Sequence, residues 1–194
     1  DRSVSRGLGD VYKRQAMKAG AKLEEFANLY PNDFYDVGIA EEHAAVMSAG
    51  IALSNKNVVL LMYSTFAQRA YDEILNDISR QNLKVIIGFD RAGIVGEDGA
   101  THQGIYDLAM LMDMPNIKVC MPRNAQETIG LFNYAFNVEK SPIVIRYPRG
   151  NVEIDSSVDY DYQCDLSWEI LKTGNKLIVI SFGPDVDLSL IHIS

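Results

Sequence analysis

Two stretches of this chain, VVLLMY (58–63) and VIIGF (85–89), are apolar without interruption and no longer than a strand. A strand with one wet face alternates polar and apolar residues. An unbroken run of this length belongs in a sheet covered on both faces, which in practice means parallel strands joined by crossover helices. The segments around these runs fit that demand. TFAQRAYDEILNDISRQN (65–82) lies between the two runs and puts Phe66, Ala70, Ile74 and Ile78 on one stripe, with Ser64 or Thr65 as its cap. EEHAAVMSAGIALSN (41–55) is a helix of small residues, and AMKAGAKLEEFANLY (16–30) a helix turning Met17, Leu23, Phe26 and Leu29/Tyr30 to one face before Pro31 stops it. A strand at 34–38, a helix at 105–112, a strand at 117–121, a helix at 124–138 and a strand at 143–147 complete the series. The expectation is an α/β fold with a doubly wound, mostly parallel sheet.

The chain is 194 residues long, 47% hydrophobic, with 18 basic against 26 acidic side chains and a net charge of −8. That balance, with no basic stripe, argues against a nucleic-acid partner. No apolar run reaches the roughly 18 residues that a membrane span needs, so no membrane partner is expected. Cys120 and Cys164 are too few and too far apart in sequence for a disulfide framework or a zinc site, which fits a reduced, cytoplasmic chain.

The ends differ from the middle. Residues 1–22 hold six basic and two acidic side chains, and DRSVSRGLGDVYKRQ has neither helical nor alternating periodicity. It reads as translated adapter sequence, as does the closing LSLIHIS, so 1–15 and 188–194 are set aside as non-native. The domain proper then covers 16–151, an acidic linker 152–175, and 176–187, with LIVISF (177–182) as a new buried strand, the opening of a further domain.

In open parallel sheets ligands collect beyond the carboxyl ends of the strands. After 34–38 come Glu41, Glu42 and His43; after 58–63, Ser64, Thr65 and the helix bearing Arg69; after 85–89, Asp90, Arg91, Asp98 and His102; at and after 143–147, Arg146 and Arg149. Each has a plainer reading. Paired carboxylates favour the positive end of a helix, a histidine caps or packs, glycines serve turns, and arginines form surface ion pairs. Arginines converging on one rim suit a phosphate. The residue types alone reach an anion-binding α/β enzyme domain and stop there.

Four blocks go further. DVGIAEEHAA, YSTFAQRAYDEILND, DRAGIVGEDGATHQGIYDL and RYPRGN occur in order, and residues 16–151 resemble the pyrimidine-binding domain of the 1-deoxy-D-xylulose-5-phosphate synthase family, thiamine-diphosphate enzymes of the transketolase group. The resemblance implies a transferase that condenses pyruvate with D-glyceraldehyde 3-phosphate and releases carbon dioxide. It implies that Glu41 meets the cofactor's aminopyrimidine, that Phe66 stacks on that ring, and that Tyr63 lines the pocket. Arg91 and Arg149 would hold the acceptor phosphate with Tyr63, while Asp98 and His102 manage protons and hydroxyls. His43 would lie near the substrate, and Arg69 and Arg146 are further substrate contacts or structural ion pairs. The cofactor's Mg2+ would be held by a diphosphate-binding domain upstream, and no metal ligand is expected in this chain. The family works as a homodimer.

Three departures matter. Position 42 is Glu where the family usually has Gln, which adds a charge beside Glu41. Lys22 replaces a family glycine, and there is no GDG motif followed by Asn; GEDG at 96–99 sits in the substrate loop instead. The expectation is therefore a fragment, inactive alone, with two alternatives: a stand-alone subunit of a split transketolase-like enzyme, or a non-catalytic α/β interaction module.

Overall fold

A computed structural model of the chain describes residues 11–14, 23–150, 152 and 158–192. Six strands form one parallel sheet: β1 (Val11–Arg14), β2 (Phe34–Asp36), β3 (Val58–Tyr63), β4 (Ile86–Asp90), β5 (Lys118–Cys120) and β6 (Ile143–Arg146). Their order across the sheet is β2-β1-β3-β4-β6-β5, and every pairing is parallel. The expected fold class is the observed one. The two apolar runs pair with each other in the middle of the sheet, with Val59 opposite Ile86 and Tyr63 opposite Asp90.

Helices cover both faces. On one lie α2 (Glu41–Leu53), a helical run α3 (Ser64–Ser79) and α4 (Asp107–Met112); α5 (Ala125–Asn137) lies on the other, where Leu23, at the start of α1 (Glu24–Leu29), also packs. The sheet's side chains divide accordingly. Leu60, Met62, Ile87 and Phe89 pack with Ala44, Ala45, Ala70, Ile74 and Ile78, while Val59, Leu61, Ile86, Ile143 and Ile145 pack with Leu131 and Ala135. This alternation within a fully buried strand is what an unbroken apolar run requires.

Three expectations need correction. Val11–Arg14, inside the segment set aside, is a strand paired with both β2 and β3, so a four-residue piece without apolar periodicity fills the place between them. The helix expected at 65–82 is not a uniform α-helix: it begins as 3-10 turns (Ser64–Ala70), passes one α-turn (Tyr71–Glu73) and widens to π geometry (Ile74–Ser79). Neither Ser64 nor Thr65 caps it. Residue 63 takes that position without a side-chain bond, and the Thr65 hydroxyl donates to the Thr101 carbonyl at 3.2 Å instead. Finally, Leu177, Ile178 and Ile180 are exposed and 177–182 is not a strand; among the described residues no strand pairs with it. Helix α6 (Asp185–His192) follows and runs into the other segment set aside.

The acidic segment is partly docked. Gln126 and Asn133 of α5 donate to the carbonyls of Asp159, Tyr160 and Tyr162, and Cys164 packs at the margin of the second core cluster. The expected helix residues 16–22, and with them Met17 and Lys22, lie outside the described residues. No helix among the described residues is long and apolar enough to cross a membrane.

Candidate functional site

The carboxyl ends of β3, β4 and β6 open onto one rim, and the loops leaving them carry most of the residues singled out in the sequence. Glu41 starts α2 and is only 1% exposed. A carboxylate taken so far from water needs a partner. Arg69 of α3 supplies one, with Nη1 at 3.4 Å from both Glu41 oxygens. That contact is long, so it leaves lone-pair capacity on a buried carboxylate. Glu42 and His43, next on the helix, are both exposed, and His43 makes no hydrogen bond or ion pair among the described residues. The structure thus separates His43 from the group that it assembles around Glu41, since successive helical residues point about 100° apart.

Arg69 also joins Glu41 to an aromatic and cationic stack. Tyr63 ends β3 and Phe66 lies in the first 3-10 turn, their rings stacked at 5.8 Å between centroids. His102 meets Phe66 edge-on at 5.4 Å. The Arg91 guanidinium covers the Tyr63 ring at 4.2 Å, and that of Arg69 approaches Phe66 at 5.2 Å. Such cation–ring contacts hold a guanidinium in place without consuming its N–H donors.

Arg91 reaches this position from a left-handed backbone conformation, φ 60°, directly after β4. A non-glycine residue seldom adopts this conformation, and it is retained where the surroundings determine it. Here the Gly-rich loop does so. Gly93 and Gly104 exchange backbone hydrogen bonds at 2.7 and 2.8 Å and close the loop into a ring. A Cβ at Gly104 would collide with the Arg91 carbonyl and come 2.7 Å from the Ser64 hydroxyl, so the close approach needs glycine. Gln103 knits the interior: its amide donates to the carbonyls of Val95 and Gly99, and its oxygen accepts from the Val95 N–H. The Thr101 hydroxyl pairs with Nδ1 of His102 at 2.9 Å.

The arginines fall into two kinds. Arg91 donates to Asp98, and Arg149 to Glu97, with Arg149 Nε also 3.6 Å from Asp98. The hydrogen bond with Glu97 raises the pKa of Arg149 further above its ordinary value. Arg146, by contrast, is 3% exposed. Its Nε and Nη2 grip both oxygens of Asp107 at 2.7 and 3.0 Å, Nη2 also donates to the Gly104 carbonyl at 3.3 Å, and Nη1 faces the Met121 sulfur. Of the two readings open for Arg146, substrate contact or structural ion pair, this geometry fits the second, a buried strut under the Gly-rich loop whose donors are engaged internally. Among the described residues no cluster of His, Cys, Asp and Glu is arranged to hold a metal ion.

Three residues of this site escaped the sequence reading: Glu97, Gln103 and Asp107. Asp107 opens the helix that directly follows the Gly-rich loop, and Glu97 stands in GEDG; an acid in a loop facing rim arginines was the available signal for both. Gln103 offered none, because its role depends on a ring closure visible only in three dimensions.

The transketolase pyrimidine-binding domain family matches residues 11–154. Among curated proteins, the 1-deoxy-D-xylulose-5-phosphate synthase of Macrococcus caseolyticus is 48% identical over 176 residues, which are 89% of this chain and 28% of the relative. That of Bacillus velezensis is 45% identical over 179 residues, covering 90% and 28%. The chain thus spans little more than a quarter of the length of these relatives. Among solved structures, a split-gene transketolase described as an inactive beta4 tetramer superposes with a TM-score of 0.66 at 28% identity, covering 81% of this chain and 50% of that one. Transketolase from Campylobacter jejuni superposes with a TM-score of 0.66 at 20% identity, covering 73% and 23%, a likeness of fold alone. The chain belongs to the transketolase pyrimidine-binding domain family.

Proposed function

We propose that this chain is the pyrimidine-binding part of a 1-deoxy-D-xylulose-5-phosphate synthase, half of a composite site that joins pyruvate to D-glyceraldehyde 3-phosphate with loss of carbon dioxide. The observation that carries this reading is the buried Glu41 carboxylate paired with Arg69, whose guanidinium also lies over the Phe66 ring of the Phe66–Tyr63 stack. A dry carboxylate with spare lone pairs, joined through Arg69 to the face of a stacked aromatic pair, fits an aminopyrimidine ring, so the residues present suit thiamine diphosphate. When bound, that cofactor supplies the electron sink that lets a 2-keto acid lose carbon dioxide and its two-carbon remainder add to an aldehyde.

Within this scheme Glu41 holds a proton at a ring nitrogen of the cofactor, Phe66 stacks on the ring, and Tyr63 lines the pocket. Arg69, against Glu41, keeps that carboxylate in place. Arg91 and Arg149 bind the acceptor's phosphate, for which planar guanidinium forks are suited. His102, edge-on to Phe66 and bonded to Thr101, stands where it would pass a proton to or from the acceptor oxygens, and Asp98 orients hydroxyls. His43, exposed on α2, stands apart from the groups around Glu41 in this scheme, and Arg146 positions the loop. Residues 16–151, extended to Val11 by β1, constitute the domain, 152–175 a linker and 176–187 the start of a third domain, with 1–10 and 188–194 non-native. The Mg2+ ligands lie in an upstream diphosphate-binding domain, and the complete enzyme is a cytoplasmic homodimer serving isoprenoid, thiamine and pyridoxal biosynthesis. The split-gene neighbour keeps a second reading in view, that of a subunit which pairs with a separate diphosphate-binding chain.

The test is domain exchange. Residues 11–154 replace the corresponding stretch of the Macrococcus caseolyticus relative, and product formation from the two substrates is measured. Activity within about tenfold of the parent supports the reading; a folded, cofactor-binding chimera without activity overturns it.

A further inference from the structure

Both guanidinium groups assigned to the acceptor phosphate are already paired with carboxylates of the Gly-rich loop. Arg149 donates to Glu97, Arg91 donates to Asp98, and Asp98 also faces Arg149 Nε at 3.6 Å. Two cations and two anions make a neutral cluster, so an incoming anion competes with groups that the loop itself provides. The two carboxylates are not equivalent. The Asp98 side chain is 14% exposed and lies between both arginines, whereas that of Glu97 is 78% exposed and pairs with Arg149 alone. Glu97 sits within a single 3-10 turn, Gly96–Asp98, followed by Gly99 at φ 80°. It can leave Arg149 for water with little loss, because an exposed ion pair is weak.

We infer that Glu97 is an internal competitor at the anion site, a selectivity residue that pairs with Arg149 until a phosphate monoester displaces it. A carboxylate ligand carries one charge and gains nothing over Glu97. A phosphate carries nearly two charges and three acceptor oxygens at neutral pH, enough to engage Arg149 and Arg91 together. Glu97 therefore biases the site towards phosphorylated acceptors and against carboxylated ones. The inference deepens the proposed function and rests on its assignment of Arg91 and Arg149.

The test is titration of this chain with inorganic phosphate and, separately, with acetate, by calorimetry at low ionic strength. Glu97→Gln should bind phosphate roughly threefold to fivefold more tightly, as expected when one exposed competing ion pair is removed. It should also gain measurable acetate binding, and Glu97→Ala should behave in the same way. In an Arg149→Ala background the gain should vanish. If Arg91→Ala and Arg149→Ala both leave phosphate binding unchanged, the arginine assignment itself fails. If those variants weaken binding but Glu97→Gln binds phosphate no more tightly than the parent, the competitor role fails and the assignment stands. Unchanged thermal midpoints show that each variant is folded.

Discussion

Arg146 and Asp107, 39 residues apart in sequence, meet in a two-pronged ion pair with N–O distances of 2.7 and 3.0 Å, and both are buried. The pair ties the end of β6 to the start of α4, and through the Gly104 carbonyl to the closure of the Gly-rich loop. Removing one member strands a charge in a dry interior. Arg146→Met should therefore lower unfolding stability by about 3 kcal/mol or more. The double variant Arg146→Met, Asp107→Leu should recover much of that loss while leaving the Arg91 loop less well held. Chemical denaturation of the two variants checks this; equal stability of the single and double variants would remove the strut from the account.

A second ion pair gives a pH signature. Burial pushes the Glu139 carboxyl up. The hydrogen bond from Lys118, the backbone N–H groups of Ser141 and Lys140 and the Tyr134 hydroxyl together outweigh burial and hold it at about 2. A folded-state value below the unfolded one means that the stabilisation is complete above the ordinary carboxylate range and is lost as pH falls towards 2. Its size is of the order of 2–3 kcal/mol. Comparing Glu139→Gln with the parent from pH 7 to pH 2 should show a stability gap that closes across that range.

The cysteines provide a third check. Burial, with a smaller contribution from Cys164, pushes the Cys120 thiol up to about 11. The thiolate is the reactive species, so at pH 8 Cys120 should react with iodoacetamide roughly a hundredfold more slowly than an unperturbed thiol. Mass spectrometry of a time course distinguishes the two cysteines, and rapid alkylation of Cys120 in the folded chain would contradict its packing at the sheet edge.

What the chain reveals in sequence follows from how local each feature is. The central strands were legible because VVLLMY and VIIGF satisfy the burial rule by themselves, and the rim was legible because strand ends carry their residues with them. Val11–Arg14 was not: its place depends on the β2 and β3 backbones beside it, and four residues of mixed polarity carry no period. LIVISF misled for the converse reason, since an apolar run becomes a strand only where a neighbour offers hydrogen bonds. Arg146 and Arg149 are three residues apart and of one type, and only tertiary placement makes one a strut and the other a candidate ligand. His43 was assigned to the rim because it follows the strand at 34–38, but its helix turns it outward.

The central claim is that Glu41 is the proton-holding group of a shared cofactor site. The most direct measurement is carbon dioxide release from pyruvate by the domain-exchanged synthase, with Glu41 intact and as Glu41→Ala, at saturating thiamine diphosphate. The account predicts that the isolated chain releases none, that the exchanged enzyme does, and that Glu41→Ala lowers its rate by about a hundredfold or more, in the range of lost proton-transfer catalysis. Release undiminished by Glu41→Ala, in an enzyme that still binds the cofactor, would contradict it.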